Sequence, residues 1–291
     1  MSDAGRKTFV VTGATGAVGR AAIAQLEAMG HRARPVARRA GVSFDDPEAL
    51  DEAFRGADGA YIMIPFDYAA SDLHQRETEI GDRLVTALVR HRPRRVVLLS
   101  GLVAHRGAAT AGSARGAALM ELRLNDLSIP ELVHLRAGFF MENLLQGVDQ
   151  MVATGIFAWP FSPHRPMPMV AAADVGMRVV ALLTADSFRG PRVSELHGGG
   201  DYAMDQAVAI LGKAVGRPDA RYIQAQYASA RDGMIEAGLS ASFTDAVMQT
   251  ARSFNDGETW ALEPRSPSNT TATSLERFAA SLFGRAARRT T

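Results

Sequence analysis

The 291-residue chain contains no cysteine, which removes disulfides, thiolate metal sites and a cysteine nucleophile together. Lysine is nearly absent as well. Lys7 and Lys213 are the only two, so arginine carries almost all of the positive charge. No lysine lies between them, and no tyrosine lies between Tyr68 and Tyr202. Neither sign of charge is in excess: the formal net charge is +1, so no strong field draws the chain to nucleic acid or a membrane surface. No stretch reaches the ~20 apolar residues of a membrane span, and the first residues lack a signal-peptide apolar core, so the cytoplasm is the expected compartment. There is no HExxH, no Cys/His spacing for a metal and no GxSxG elbow, which sets aside metal-dependent and serine hydrolases.

What is present is an ordinary globular composition, 47% hydrophobic and 22% charged. That is enough for one large domain or a core domain with a smaller lobe. The most informative run is Thr12-Gly-Ala-Thr-Gly-Ala-Val-Gly-Arg20, between an apolar strand-like segment at 8–12 and a helix-like one at 18–29. Gly13, Gly16 and Gly19 at such a junction permit a tight turn. They also let backbone amides approach a pyrophosphate at the helix N-terminus, where orphan N–H groups and the dipole favour an anion. A ligand-free glycine turn is the alternative.

Strand candidates follow at 34–37, 60–65, 95–100 and 132–135, alternating with helical candidates at 47–55, 73–91 and 114–125. In the 73–91 segment Leu73, Ile80, Leu84, Leu88 and Val89 fall near one face of a 3.6-residue period. Strands alternating with helices of this length imply right-handed crossovers and an α/β, doubly wound parallel sheet. After Gly138 the pattern changes. Residues 155–168 read as irregular and rich in Pro and aromatics, followed by a helix at 173–183, a strand at 192–197 and a helix at 204–215. The expected division is 1–138 for dinucleotide binding and 139–291 for a substrate lobe interleaved with it, its ligand at the carboxyl ends of the strands. Residues 284–291 read as a frayed end.

An acidic residue about 20 positions beyond the glycines ordinarily takes the ribose 2′-hydroxyl of NAD. Here the second strand ends in Ala37-Arg38-Arg39. A guanidinium pair suits a 2′-phosphate by charge and fork geometry, so NADPH is expected over NADH. Surface charge in an arginine-rich chain is the other reading of Arg38 and Arg39. Asp45, just past a further short strand, would meet the adenine edge or cap the helix beginning at Pro47.

Several segments together resemble the NmrA-like branch of the atypical short-chain dehydrogenase/reductases. They are Val11-Thr-Gly-Ala-Thr-Gly-Ala-Val-Gly19, Val97-Leu-Leu-Ser100, Leu135-Arg-Ala-Gly-Phe-Phe-Met-Glu-Asn143, Ala173-Asp-Val175, Leu211-Gly-Lys-Ala-Val-Gly-Arg-Pro218 and Thr273-Ser-Leu-Glu-Arg-Phe278. The resemblance spans nearly the whole chain. It implies a Rossmann-type sheet with a smaller C-terminal substrate lobe. It also implies a pyrophosphate turn of Gly13, Thr15, Gly16, Ala17, Val18 and Gly19, with Arg38 on the 2′-phosphate. Ile64 and Pro65 would pass the adenosine, and Ser100 would end the fifth strand near the nicotinamide. The turn from Phe140 to Asn143 would line the substrate side, and Asp174 would organise a helix start. The family holds reductases, quinone oxidoreductases and redox-sensing regulators without enzymatic activity.

One departure matters. Short-chain dehydrogenases use a YxxxK pair as acid and ribose anchor, and those places fall here on Ser113 and Ala117. Without that acid, hydride transfer is easiest when the product anion is intrinsically stabilised, as in a quinone or an aromatic ketone with a neighbouring phenol. Positioning alone can still supply ~7–11 kcal/mol. The missing pair and the arginine-rich composition resemble reductases that tailor aromatic polyketides, including angucyclinone ketoreductases.

Met120, Phe140, Met141, Met151, Phe157, Trp159, Phe161, Met167 and Met169 cluster in the expected roof of the site and suit a flat apolar guest, although each alone fits a core. Ser100 is the expected contact to the substrate oxygen, with His105 and His164 as weaker proton sources. Asn143 would bond the nicotinamide amide or the substrate, or cap a helix. The sequence thus points to an NADPH-dependent ketone or quinone reductase for a bulky aromatic small molecule. Its rival is an NADP(H)-sensing regulator that acts through a protein partner.

Overall fold

Alternate residues of the central strands are buried on opposite faces, as a parallel sheet covered on both sides requires. The structure is a computed structural model and describes residues 5–187, 189–259 and 261–283. Its first half comprises β1 (Thr8–Thr12), α1 (Ala17–Ala28), β2 (Arg32–Val36), α2 (Pro47–Phe54), β3 (Gly59–Ile62), α3 (Leu73–His91), β4 (Arg95–Gly101), α4 (Arg115–Asn125) and β5 (Glu131–Ala137). The second half adds β6 (Phe139–Phe140), α5 (Val148–Thr154), β7 (Ile156–Trp159), β8 (Met167–Val170), α6 (Ala172–Thr184) and β9 (Gly190–Leu196). The remaining elements are β10 (Gly200–Tyr202), α7 (Met204–Ala214), β11 (Arg221–Gln224), α8 (Tyr227–Glu236), α9 (Ala241–Asn255) and α10 (Leu275–Phe283).

The six-stranded sheet has the order β2-β1-β3-β4-β5-β9 and is parallel throughout. The chain leaves β1 toward β2 and returns to β3 on the other side. The order therefore reverses between β1 and β3, and a ligand crevice is expected at their carboxyl ends. On one face Val10, Ile62 and Leu98 meet Phe54 of α2, Leu84 of α3 and Leu124 of α4. On the other, Val11, Tyr61 and Val133 meet Leu26 of α1 and Val179 of α6. The last two helices pack almost backbone to backbone: a Cβ on Gly176 would lie 2.7 Å from Val18 O.

At the amino end of the sheet the buried Arg95 guanidinium donates to Glu131 and to the carbonyls of Leu182, Leu183 and Ala185. It thereby ties the end of α6 to β4 and β5. Removing one member of such a buried pair typically costs about 3–5 kcal/mol.

Three expectations are corrected. No strand forms between β2 and Asp45, so Ser100 lies at the end of the fourth strand of the chain, one residue before Gly101 closes it, rather than of a fifth. The 155–168 segment is not irregular throughout: it holds β7, paired in parallel with β11, and the start of β8. Val89 on α3 is half exposed, outside the apolar stripe. The second half packs its own core, in which Met141, Leu144, Met151, Phe157, Leu211 and Phe278 meet. The frayed end expected at 284–291 lies outside the described residues. Among the described residues no helix is long and apolar enough to cross a membrane, and no cluster of three or more His, Asp or Glu could hold a metal ion.

Candidate functional site

The turn after β1 depends on backbone that only glycine adopts easily. Gly13 has φ +61°, and a Cβ there would come 3.0 Å from the Met63 sulfur. A Cβ on Gly19 would lie 2.4 Å from Gly13 O and 2.8 Å from Ala14 Cα, so the helix can start this close to the strand only without one. Gly16 is the N-cap of α1 and brings no capping side chain, which leaves the helix N-terminus bare. Thr15 and Gly16 are exposed, Ala17 is half-buried, and Val18 packs inward. Thr12 Oγ1 accepts a hydrogen bond from Met63 N at 2.8 Å and joins the tip of β1 to the segment after β3.

Past β2, Arg38 and Arg39 stand exposed in a 3-10 turn, and no described residue pairs with either guanidinium. A bare helix N-terminus beside a turn that a Cβ would fill, with free cations at the neighbouring strand end, fits a dinucleotide carrying a ribose phosphate.

A cavity of about 570 Å³ adjoins the turn at Met63 and Ile64, within the range of small-molecule sites. Ser100 at the tip of β4 lines it, with Phe140, Trp159 and Phe161 from the second half and Met234 and Phe243 from α8 and α9. Tyr68 and Phe243 meet edge-to-face, ring centroids 4.8 Å apart. Ser100 is buried and its Oγ has no hydrogen-bond partner among the described residues. An unmade bond at a buried hydroxyl costs about 1–3 kcal/mol, which a ligand oxygen in the cavity would relieve.

Ser113 and Ala117, the positions of the absent pair, also line the cavity, and Ser113 Oγ lies 3.0 Å from Thr250 Oγ1 on α9. Glu77 of α3 lines the same cavity and is buried. Its carboxyl lies 3.0 Å from His74 Nδ1 and accepts from the backbone N–H of Gly116. Burial pushes this carboxyl above the ordinary range, the largest influence on it.

Of the residues anticipated for substrate, Phe140, Asn143, Trp159 and Phe161 line the cavity, joined by Met167. Ile64 lines it too, whereas the half-buried Pro65 does not. Met120, Met141 and Phe157 are corrected. Met120 packs under the sheet with Ile80 and Leu84, because the inward face of α4 points to β4 and not to the strand tips. Met141 sits in the core of the second half, and Phe157 fills a notch left by Gly147, where a Cβ would meet its ring at 2.5 Å. Met151 and Met169 belong to that core as well.

Asp45 is corrected too. Asp46, not Asp45, caps α2 by accepting from Ala49 N. Both Asp45 oxygens are held by Arg76 and Arg83 at 2.6 Å, bonds that bring its pKa down to about 2, so it anchors a loop to α3 instead of offering itself to adenine. His105 binds Leu102 O through Nδ1, and His164 is exposed beside Asp205; neither lines the cavity. The start of α6 is held chiefly by Glu142, whose carboxylate accepts from Ala172 N at 3.0 Å, while Asp174 sits in the first turn.

Sequence reasoning missed Glu77, Tyr68 and the wall from α8 and α9. Glu77 had a signal: it lies four residues after Leu73 and three before Ile80, a carboxylate on an apolar face.

Residues 5–278 match the model of the NmrA-like family. No curated protein sequence matches the chain. Among solved structures, it is similar to an NADPH-dependent quinone oxidoreductase, QOR2, of Escherichia coli complexed with NADPH. That pair shares 21% identity over 94% of this chain and 99% of the other, at a TM-score of 0.71. It is similar to NmrA, a negative transcriptional regulator solved in complex with NAD, at 17% identity over 96% and 91% of the two chains, TM-score 0.70. It is also similar to the triphenylmethane reductase of Citrobacter sp., at 15% identity over 95% and 99%, TM-score 0.66.

Proposed function

The chain belongs to the NmrA-like family, and from that premise we propose that it is an NADPH-dependent reductase. Its substrate would be a ketone or quinone of a bulky, polyketide-like aromatic molecule. The observation that carries this reading is the unpartnered Ser100 hydroxyl, buried in an apolar cavity that adjoins the glycine turn through Met63.

When bound, the reduced cofactor supplies a hydride. The glycine turn and the α1 N-terminus hold its pyrophosphate, and Arg38, with Arg39 beside it, takes the 2′-phosphate. Ser100 donates to the substrate oxygen and orients the carbonyl as negative charge grows there. Phe140, Trp159 and Phe161 hold a flat ring by apolar and edge contacts, and Asn143 offers an amide to the carboxamide or the substrate.

Of the three structures described above, one is named an NADPH-dependent quinone oxidoreductase and another a triphenylmethane reductase, which supports the reading in kind. The third is a transcriptional regulator, so the test has a binding arm. NADPH absorbance is followed with a naphthoquinone, a hydroxylated anthraquinone-type ketone and a simple aliphatic ketone, and NADPH affinity is measured in parallel. Oxidation with the aromatic acceptors and not the aliphatic one supports the reductase. Tight NADPH binding with no oxidation by any acceptor favours an NADP(H)-sensing regulator.

A further inference from the structure

Hydride addition to a carbonyl leaves charge on oxygen. The residues at the places of the usual pair, Ser113 and Ala117, supply no net acid: one is a hydroxyl that shares a hydrogen bond with Thr250, the other a methyl. A different acid faces the same space. Glu77 is buried, lines the cavity, and reaches it through a gap that Gly116 leaves on the facing helix. On its outer side it meets His74, whose side chain is 31% exposed and therefore touches both Glu77 and water. We propose that Glu77 is the proton donor of this site, giving its carboxylic proton to the substrate oxygen, and that His74 returns a proton to it from solvent. The proposal rests on the reductase reading.

The step balances within what that reading supplies. The carbonyl carbon gains the hydride, its new C–H bond replacing the one broken in the reduced cofactor, while the C=O π pair moves to oxygen. The Glu77 O–H bond breaks as that oxygen takes its proton, so the carbonyl is reduced and the nicotinamide oxidised. The Glu77 carboxylate is then reprotonated through the His74 ring, which draws on water.

The charged neighbours are few. His74 lies on the same helix; Arg115 and the Gly116 N–H act from α4, and all three favour the ionised form. Burial outweighs them, and the carboxyl holds its proton above the ordinary range. Arg165 and Asp201 line the same cavity from the second half, and Tyr68 stands half exposed at the aromatic cluster with Phe243.

The test pairs kinetics with infrared spectroscopy on the full chain, using an aromatic ketone without a neighbouring phenol and a naphthoquinone. Glu77→Gln should lower kcat for the ketone by about 10²–10⁴-fold and for the quinone by less, with NADPH affinity unchanged. The alkaline limb of the kcat profile should vanish with it. His74→Gln, which leaves the cavity lining alone, should slow turnover and be rescued by imidazole in the buffer. A difference spectrum of wild type against Glu77→Gln should show a protonated carboxylic acid at neutral pH that shifts when 2-naphthol binds. Unchanged ketone reduction in Glu77→Gln, or loss of the alkaline limb in Tyr68→Phe instead, overturns the proposal. If wild type reduces nothing, the reductase reading fails and the spectrum alone decides on Glu77. An ionised carboxylate at neutral pH, or one blind to 2-naphthol, overturns the proton-holding role, and a responsive protonated acid upholds it.

Discussion

Gly116 makes room for Glu77: a Cβ on that glycine would lie 2.7 Å from Glu77 Cδ and 2.9 Å from its Cγ. The Glu77 side chain is the part free to move, so Gly116→Ala should swing the carboxyl away from the Gly116 N–H. Alanine favours a helix over glycine by about 0.5–1 kcal/mol, which offsets part of the crowding. The expected result is a fall in ketone turnover with the melting temperature within about 2–4 °C of wild type. Turnover equal to wild type would show that the placement of this carboxyl does not matter to the reaction.

The Glu77 carboxyl also sets a pH dependence of stability. Its pKa is raised in the folded protein above the ordinary 4.5. The native state therefore holds the proton where the unfolded chain has lost it, and stability falls as pH rises past 4.5 until the folded value is passed. Glu77→Gln has no proton to lose. Its melting temperature relative to wild type should be higher at pH 8 than at pH 4, and a gap independent of pH would contradict the assignment.

Arg38 and Arg39 face solvent with no ion partner among the described residues. Removing a charged hydrogen-bond donor from a phosphate costs about 1.5–3 kcal/mol. Arg38→Ala should weaken NADPH by about 10–100-fold and leave NADH nearly unchanged, read by titration calorimetry. Equal weakening of both would remove the 2′-phosphate from this end of β2.

Ser100 has a single expected partner, the substrate oxygen. Loss of one such donor lowers kcat by about 10²–10³-fold in a preorganised site. Ser100→Ala should do this with little change in NADPH affinity, and its melting temperature should not fall, because the wild-type hydroxyl is unpaired. A strong rise in KM at constant kcat would assign Ser100 to ground-state binding instead.

The first half of the fold was legible because each element there is marked locally. The 73–91 helix is bounded by Asp72, which caps it, and by Arg92, which ends it in the left-handed region. β1 matches its apolar run residue for residue. The second half lacked such marks. β7 has four residues and is held by β11, more than sixty positions away, a pairing no local pattern announces. Methionines misled for a related reason: Met120 and Met167 are alike in sequence, and only the tertiary fold sends one beneath the sheet and the other to the cavity. Asp45 and Asp46 are adjacent, and the choice between them is made by Arg76 and Arg83 from another helix.

The last strand of the sheet comes from late in the chain and pairs with β5 along its whole length, Glu131 to Gly190 through Ala137 to Leu196. The molecule consequently has no seam. A fragment ending at residue 138 would bare the main-chain edge of β5, a template for strand addition between copies, and would strip α6 from one side of the sheet. The cradle and the roof over it are inherited together. A chimera that borrows the roof of a relative to change substrate must therefore leave in place the β9 and α6 that fit its own sheet.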